Sequence, residues 1–208
     1  MEKKRRKGRT KAVTEDVHSK YEKILRASIK VFAQNGFHRS KISQIAKEAG
    51  IADGTIYLYF KNKDDILIKI FEDRLEKNLA ELKSKLEKIE DPYEQLKFFI
   101  SHHLALFDTN RGLIEVLTVE LRMSNKFMKE YVPQRFGEYL NLLSGIIRRG
   151  KDKGIFRPDV MPGVAKRVIY GALDGILVYL ILAPKPKYDL NTCVDQITSI
   201  MVSGLLKK

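Results

Sequence analysis

Apolar residues along the chain recur at intervals of three and four, the spacing that aligns one face of an α-helix. No segment shows the strict alternation of a half-buried strand. Tyr21, Ile24, Leu25, Ser28, Val31 and Phe32 form the first stripe and predict a helix over residues 19–35, ended by Gly36. Ile42, Ile45, Ala46 and Ala49 form the second, with Ser40 placed as its N-cap and Gly50 where the chain needs positive φ to leave the helix. Asp53 is positioned to cap a third helix reaching Tyr59. There Ile56 and Phe60 face inward, while Thr55, Tyr57, Leu58 and Tyr59 lie more to the outside. Two short helices joined by a tight Gly-containing turn form a helix-turn-helix, whose second helix can enter a DNA major groove. Leu25, Phe32, Phe37, Ile42, Ile45, Ala46, Ile51, Ile56 and Phe60 would be its small core, thin enough to need support from the helix C-terminal to it.

A longer pattern runs over residues 64–90, with Leu67, Phe71, Leu75, Leu79, Leu82, Leu86 and Ile89 on one face. Asp91-Pro92 breaks it and restarts a helix over 93–107. Residues 113–131 are apolar nearly all round in their first half, as in a buried helix. Pro133 precedes a helix over 134–153 carrying Phe136, Leu140, Leu143 and Ile147, closed by Gly154. Arg157-Pro158-Asp159 would open the next, through 182, with Gly171 and Gly175 one turn apart. After Pro184 and Pro186, Asp189 or Asn191 caps a last helix with Val194, Ile197, Met201 and Leu205 inward. The expected fold is all-α with roughly nine helices, divided into a flexible basic arm (1–18), a helix-turn-helix head (19–63) and a helical ligand-binding and dimerisation body (64–208).

Charge sharpens this division. Residues 1–63 carry 16 Lys/Arg against 6 Asp/Glu, whereas residues 64–208 carry 23 against 20. The basic excess therefore sits with the helix-turn-helix, as a phosphate-facing surface requires. Seven of the first eleven residues are Lys or Arg, so the arm either follows DNA or serves as a solubilising tail. The single cysteine, Cys193, allows neither an internal disulfide nor a thiolate metal cluster, which suits a reducing cytoplasm. No apolar segment follows the basic N-terminus as in a secretory signal. The stretch 168–183 is short for a bilayer and interrupted by Asp174.

The segment AKEAGIADGTIYLYFKNKDDIL resembles the DNA-binding signature of the tetracycline-repressor (TetR) family of bacterial transcription regulators. The resemblance is carried by Ile45-Ala46, Ala49-Gly50-Ile51, Gly54-Thr55-Ile56-Tyr57, Tyr59-Phe60 and Lys63, with Phe32 and Asn35-Gly36-Phe37 upstream. Ala52 stands where the family often has Ser, which leaves capping of the recognition helix to Asp53. The resemblance implies a homodimer built through the last two long helices, with the 64–90 helix setting the separation of two heads on a palindromic operator. ADGTIYLYFKNKDDIL together with VELRMSN resembles the branch that represses fatty-acid degradation genes and is released by long-chain acyl-CoA. The body resemblance rests on Glu120-Leu121-Arg122 and Ser124-Asn125 and is the weaker of the two.

Thr55, Tyr57 and Leu58 are the base-side candidates, the last two through thymine methyl groups. Lys41, Tyr59, Lys61 and Lys63 are the phosphate candidates. On the branch resemblance, Phe99, His103, Leu106, Phe107, Leu117 and Leu121 line an acyl tunnel, and Arg122 meets a thioester or phosphate or pairs with Glu120. The alternative is that these are ordinary core. No cofactor is expected beyond an acyl-CoA or fatty-acid effector. Catalysis and metal binding are not expected: His102 and His103 are adjacent, so they cannot share a helical face, and no nucleophile elbow or phosphate loop occurs. Two other readings stay open, a regulator sensing a multidrug-type compound and a basic peripheral membrane protein.

Overall fold

The computed structural model describes residues 2–109, 111–119 and 135–207, with side chains in the first helix from Ser19 onward. The order is α1 (Glu2–Asn35), α2 (Ile42–Ala49), α3 (Asp53–Tyr57), α4 (Lys63–Leu86), α5 (Pro92–Thr109), α6 (Arg111–Thr118), α7 (Arg135–Asp152), α8 (Pro162–Leu182) and α9 (Leu190–Leu205). Among the described residues the sole strand-like pairing is an isolated bridge between Phe156 and Leu206, so the fold is all-α as expected. Two compact units divide the chain, Met1–Ile70 and Phe71–Lys208, and the boundary falls inside α4. The first helix begins at Glu2, so residues 2–18 are helical where an irregular arm was expected. Their Lys, Arg, Glu and Ala are compatible with helix, and no proline interrupts them.

In the first unit, Ile24, Leu25, Val31 and Phe32 of α1 meet Phe37, Ile45, Ala46, Ile56 and Phe60 in a buried core. Ile42 and Ile51 are only half-buried. The thinness of this core is relieved by the first turns of α4, whose Ile66, Leu67 and Ile70 are buried. Gly50 leaves α2 at φ 68°, a left-handed conformation that costs glycine little, and its N–H reaches back to the Ala46 and Lys47 carbonyls.

Three expected helix starts are corrected. Ser40 does not cap α2: its hydroxyl is buried and donates to the Gly36 carbonyl at 2.7 Å. The cap is Lys41, whose N–H donates to Gln44 Oε1 at 2.8 Å. Likewise α3 is opened by Ala52, without a side-chain cap, and Asp53 is the first helical residue. That helix closes at Leu58, so Tyr59 lies beyond it. The Arg157-Pro158-Asp159 segment does not start α8; it follows the Phe156–Leu206 bridge, and the Arg157 N–H donates to the Leu205 carbonyl at 2.8 Å. The helix instead begins after Met161 with Pro162 in its first turn.

The second unit packs α5 against α7, α8 and α9. Its core joins Leu79, Leu82 and Leu86 of α4 to Phe99, Ile100, Leu143, Ile147, Leu173, Leu177 and Ile197. The turn between α4 and α5 is satisfied by buried Gln95, whose amide donates to the Leu86 and Ile89 carbonyls while Arg149 donates to its Oε1 at 2.7 Å. Asp189 caps α9, accepting from the Thr192 N–H at 2.7 Å.

Candidate functional site

In the first unit the tip of the helix-turn-helix presents an exposed apolar pair. Leu58 is 82% and Tyr57 59% exposed, although both are large side chains that the adjacent core could have used. Residues left this exposed beside a basic surface suit contact with base edges and thymine methyls. Thr55 and Tyr59 are half-buried on either side of them, and Lys41 and Lys61 are exposed.

Lys63 is placed differently from expectation. Its ammonium donates to the carbonyls of Phe37 at 2.7 Å, His38 at 3.0 Å and Ser40 at 3.0 Å. An ammonium has three N–H groups, and all are committed here, so Lys63 is withdrawn from the phosphate set. It also lies 4.7 Å from the Phe37 ring centroid. Burial lowers its pKa and the Asp64 carboxylate works against that fall. The lysine ties the start of α4 to the turn between α1 and α2. Sequence reading also missed Asn62, whose Oδ1 accepts from the Asp65 N–H at 2.9 Å while Asp65 Oδ2 accepts from the Lys61 N–H at 3.2 Å. The signal was legible as Asn followed three residues later by Asp just before an apolar run.

In the second unit the expected ligand residues separate into two sets. Phe99 is fully buried in the core and Phe107 packs against it, while His103 is buried beside them on α5. Leu106 and Leu117 are half-buried. Leu121 and Arg122, with Glu120 and Asn125, lie outside the described residues. Three aromatic residues missing from the expected set surround His103. The Tyr139 ring centroid lies 5.8 Å from that of His103 and the Tyr170 ring meets it edge-on, while Phe136 contacts both tyrosines. His103 Nδ1 is 2.6 Å from Tyr139 Oη, and both residues are buried. Desolvation lowers the His103 pKa to about 4 against a smaller opposing pull from Asp174, and it raises the Tyr139 phenol well above its usual range. Adjacent His102 faces elsewhere, within 3.1 Å of the Asn78 amide.

A third feature is an apolar groove of about 450 Å³ between α8 and α9, walled by Val160, Val164, Val168, Ile200 and Met201. Val168 is 55% and Ile200 63% exposed. A Cβ added at Gly171 or Gly175 would meet nothing within 4 Å, so neither glycine serves packing against the described residues.

A basic three-helix head with an exposed recognition tip, joined through a long helix to an all-helical body, defines a helix-turn-helix transcription regulator. Residues 24–70 match the model of bacterial regulatory proteins of the tetR family, and residues 71–204 match that of the YsiA-like protein C-terminal region. The chain belongs to the TetR family. It is 35% identical over 189 residues to the fatty acid metabolism regulator protein of Bacillus subtilis, covering 91% of this chain and 97% of that one. The crystal structure of FadR from Bacillus subtilis in complex with stearoyl-CoA superposes with a TM-score of 0.82 at 35% identity, covering 88% of this chain and 98% of the other. The fatty acid degradation regulator FadR from Bacillus halodurans gives 0.82 at 34% identity, covering 89% and 95%. No described helix is long and apolar enough to cross a membrane.

Proposed function

We propose that this protein is a homodimeric repressor of fatty-acid metabolism genes that occupies a palindromic operator and leaves it when a long-chain acyl-CoA binds the second unit. The observation carrying the effector assignment is the near full-length similarity to a regulator whose structure contains stearoyl-CoA. The enclosed aromatic cluster around His103 supports it, because ligand sites are mostly apolar with a few placed polar groups. Exposed Val168 and Ile200, with open Gly171 and Gly175, support α8 and α9 as the dimer face. Thr55, Tyr57 and Leu58 read bases, and Lys41, Tyr59 and Lys61 contact phosphates.

Release needs only differential affinity. A ligand that binds better to the form with poor operator affinity shifts the population towards that form, and DNA opposes the ligand by the same factor. Native mass spectrometry after incubation with a mixed acyl-CoA pool tests the effector assignment. The expected result is a dimer retaining one long-chain acyl-CoA per subunit; a dimer retaining none at saturating concentration contradicts it.

A further inference from the structure

His103 and Tyr139 form a closed polar pair in an apolar core, and counting their hydrogens shows what the pair lacks. Burial keeps the imidazole neutral and the phenol protonated near pH 7, so the ring carries a single N–H. If that hydrogen is on Nδ1, it donates to Tyr139 Oη. The phenol hydrogen and the Nε2 lone pair are then both left without a partner among the described residues. If the hydrogen is on Nε2, the phenol donates to Nδ1, and the Nε2–H and the acceptor capacity of the phenol oxygen are left over. Both arrangements leave one donor and one acceptor unused, and bond strength decides between them: the phenol O–H is a stronger donor than a neutral imidazole N–H, and the imidazole nitrogen a stronger acceptor than a phenol oxygen, so the arrangement in which the phenol donates prevails. The fold thus holds an N–H donor, on a 7% exposed side chain, facing no acceptor among the described residues.

We propose that this Nε2–H donates a hydrogen bond to the neutral carbonyl oxygen of an acyl effector, and that Tyr139 is a positioning residue that fixes the required tautomer. The inference rests on the effector reading above. The surroundings select among oxygen acceptors. Asp174 acts electrostatically on His103, and its Oδ1 accepts from the Tyr170 hydroxyl at 3.2 Å. A free fatty-acid carboxylate placed here would lose its hydration and meet a neutral imidazole rather than a cation. A thioester or ester carbonyl needs only the donor. Phe99, Phe136 and Tyr170 supply apolar ring surface beside the pair.

Calorimetric titration of the full-length protein with palmitoyl-CoA and with its S-hexadecyl thioether analogue, which lacks the carbonyl oxygen, tests this directly. The native chain is expected to prefer the thioester about ten-fold, equivalent to one good hydrogen bond. His103→Phe brings the ratio to about one, Tyr139→Phe to about three, and His103→Gln, which keeps an N–H, restores part of the preference. Nitrogen-15 spectra of histidine-labelled native protein need no variant and are expected to show the Nε2–H tautomer without ligand. Equal binding of the two ligands by native protein, a preference that persists in His103→Phe, or an Nδ1–H tautomer overturns the inference while leaving the effector reading standing. Binding of neither ligand overturns the effector reading and the inference with it.

Discussion

The Lys63 ammonium lies 2.7 Å from the Phe37 carbonyl oxygen and 4.7 Å from the centroid of the same residue's ring. One lysine therefore closes the α1–α2 turn against the start of α4, making hydrogen bonds that are charge-assisted at its own end. Lys63→Ala is expected to destabilise the protein by about 1–3 kcal/mol in chemical denaturation, with the unpaired carbonyls as the cause. Its DNA affinity, measured where the head remains folded, should keep the salt dependence of the native chain. A loss of about one unit in that slope would return Lys63 to the phosphate set.

Lys41 and Lys61 have the opposite expectation. Both are exposed, so Ala at either is expected to lower the slope of log K against log salt by about 0.9, on specific and random DNA alike. Thr55→Ala should instead narrow the gap between operator and random DNA by about 1–3 kcal/mol. Fluorescence anisotropy over a salt series separates the two kinds of loss.

The α8–α9 groove exposes apolar side chains that a second copy would cover. Val168→Glu and Ile200→Glu are expected to yield monomers in sedimentation equilibrium and to weaken operator binding, since each monomer reads only one half-site. A dimer unchanged by both charges would place the interface elsewhere.

Burial of His103 makes stability pH-dependent. The group takes up a proton near 6.5 when unfolded but only near 4 when folded, so its contribution is intact above 6.5 and lost as pH falls through that window. Acidification from pH 8 to 5 should cost about 2 kcal/mol from this residue. His102, whose pKa is also lowered by burial, acts in the same direction. The quantity to compare is thus the slope of native protein against that of His103→Phe, which should be flatter.

Gly150 has no room for a side chain, because an added Cβ would fall against the ring of Phe156. Phe156 is itself almost wholly buried, so it cannot swing clear. Gly150→Ala should lower stability by about 2 kcal/mol or more in urea denaturation, whereas Gly54→Ala, facing open space in the head, should not.

The helices were legible in the chain because buried side chains recur every three or four residues, as at Leu79, Leu82 and Leu86. Their starts were less legible. A buried Ser and a capping Ser look alike in sequence, and only the Ser40–Gly36 bond distinguishes them. Lys63 misled for a related reason: a lysine in a DNA-binding head reads as a phosphate ligand, and nothing local shows that three carbonyls 23 to 26 positions upstream converge on it. His103 was a candidate through the branch resemblance, which names residues of one helix more readily than their distant partners. Tyr139 was missed because it lies 36 residues away, brought close only when α5 packs on α7. Asn62 was readable and simply overlooked beside the adjacent lysine.

Operator release by ligand decides whether the effector is a long-chain acyl-CoA. DNA selected by the full-length protein from random sequence should converge on a palindrome, and palmitoyl-CoA should displace the protein from it at micromolar concentration while coenzyme A alone does not. An operator complex indifferent to long-chain acyl-CoA, yet dissolved by an unrelated hydrophobic compound, would contradict the acyl-CoA assignment.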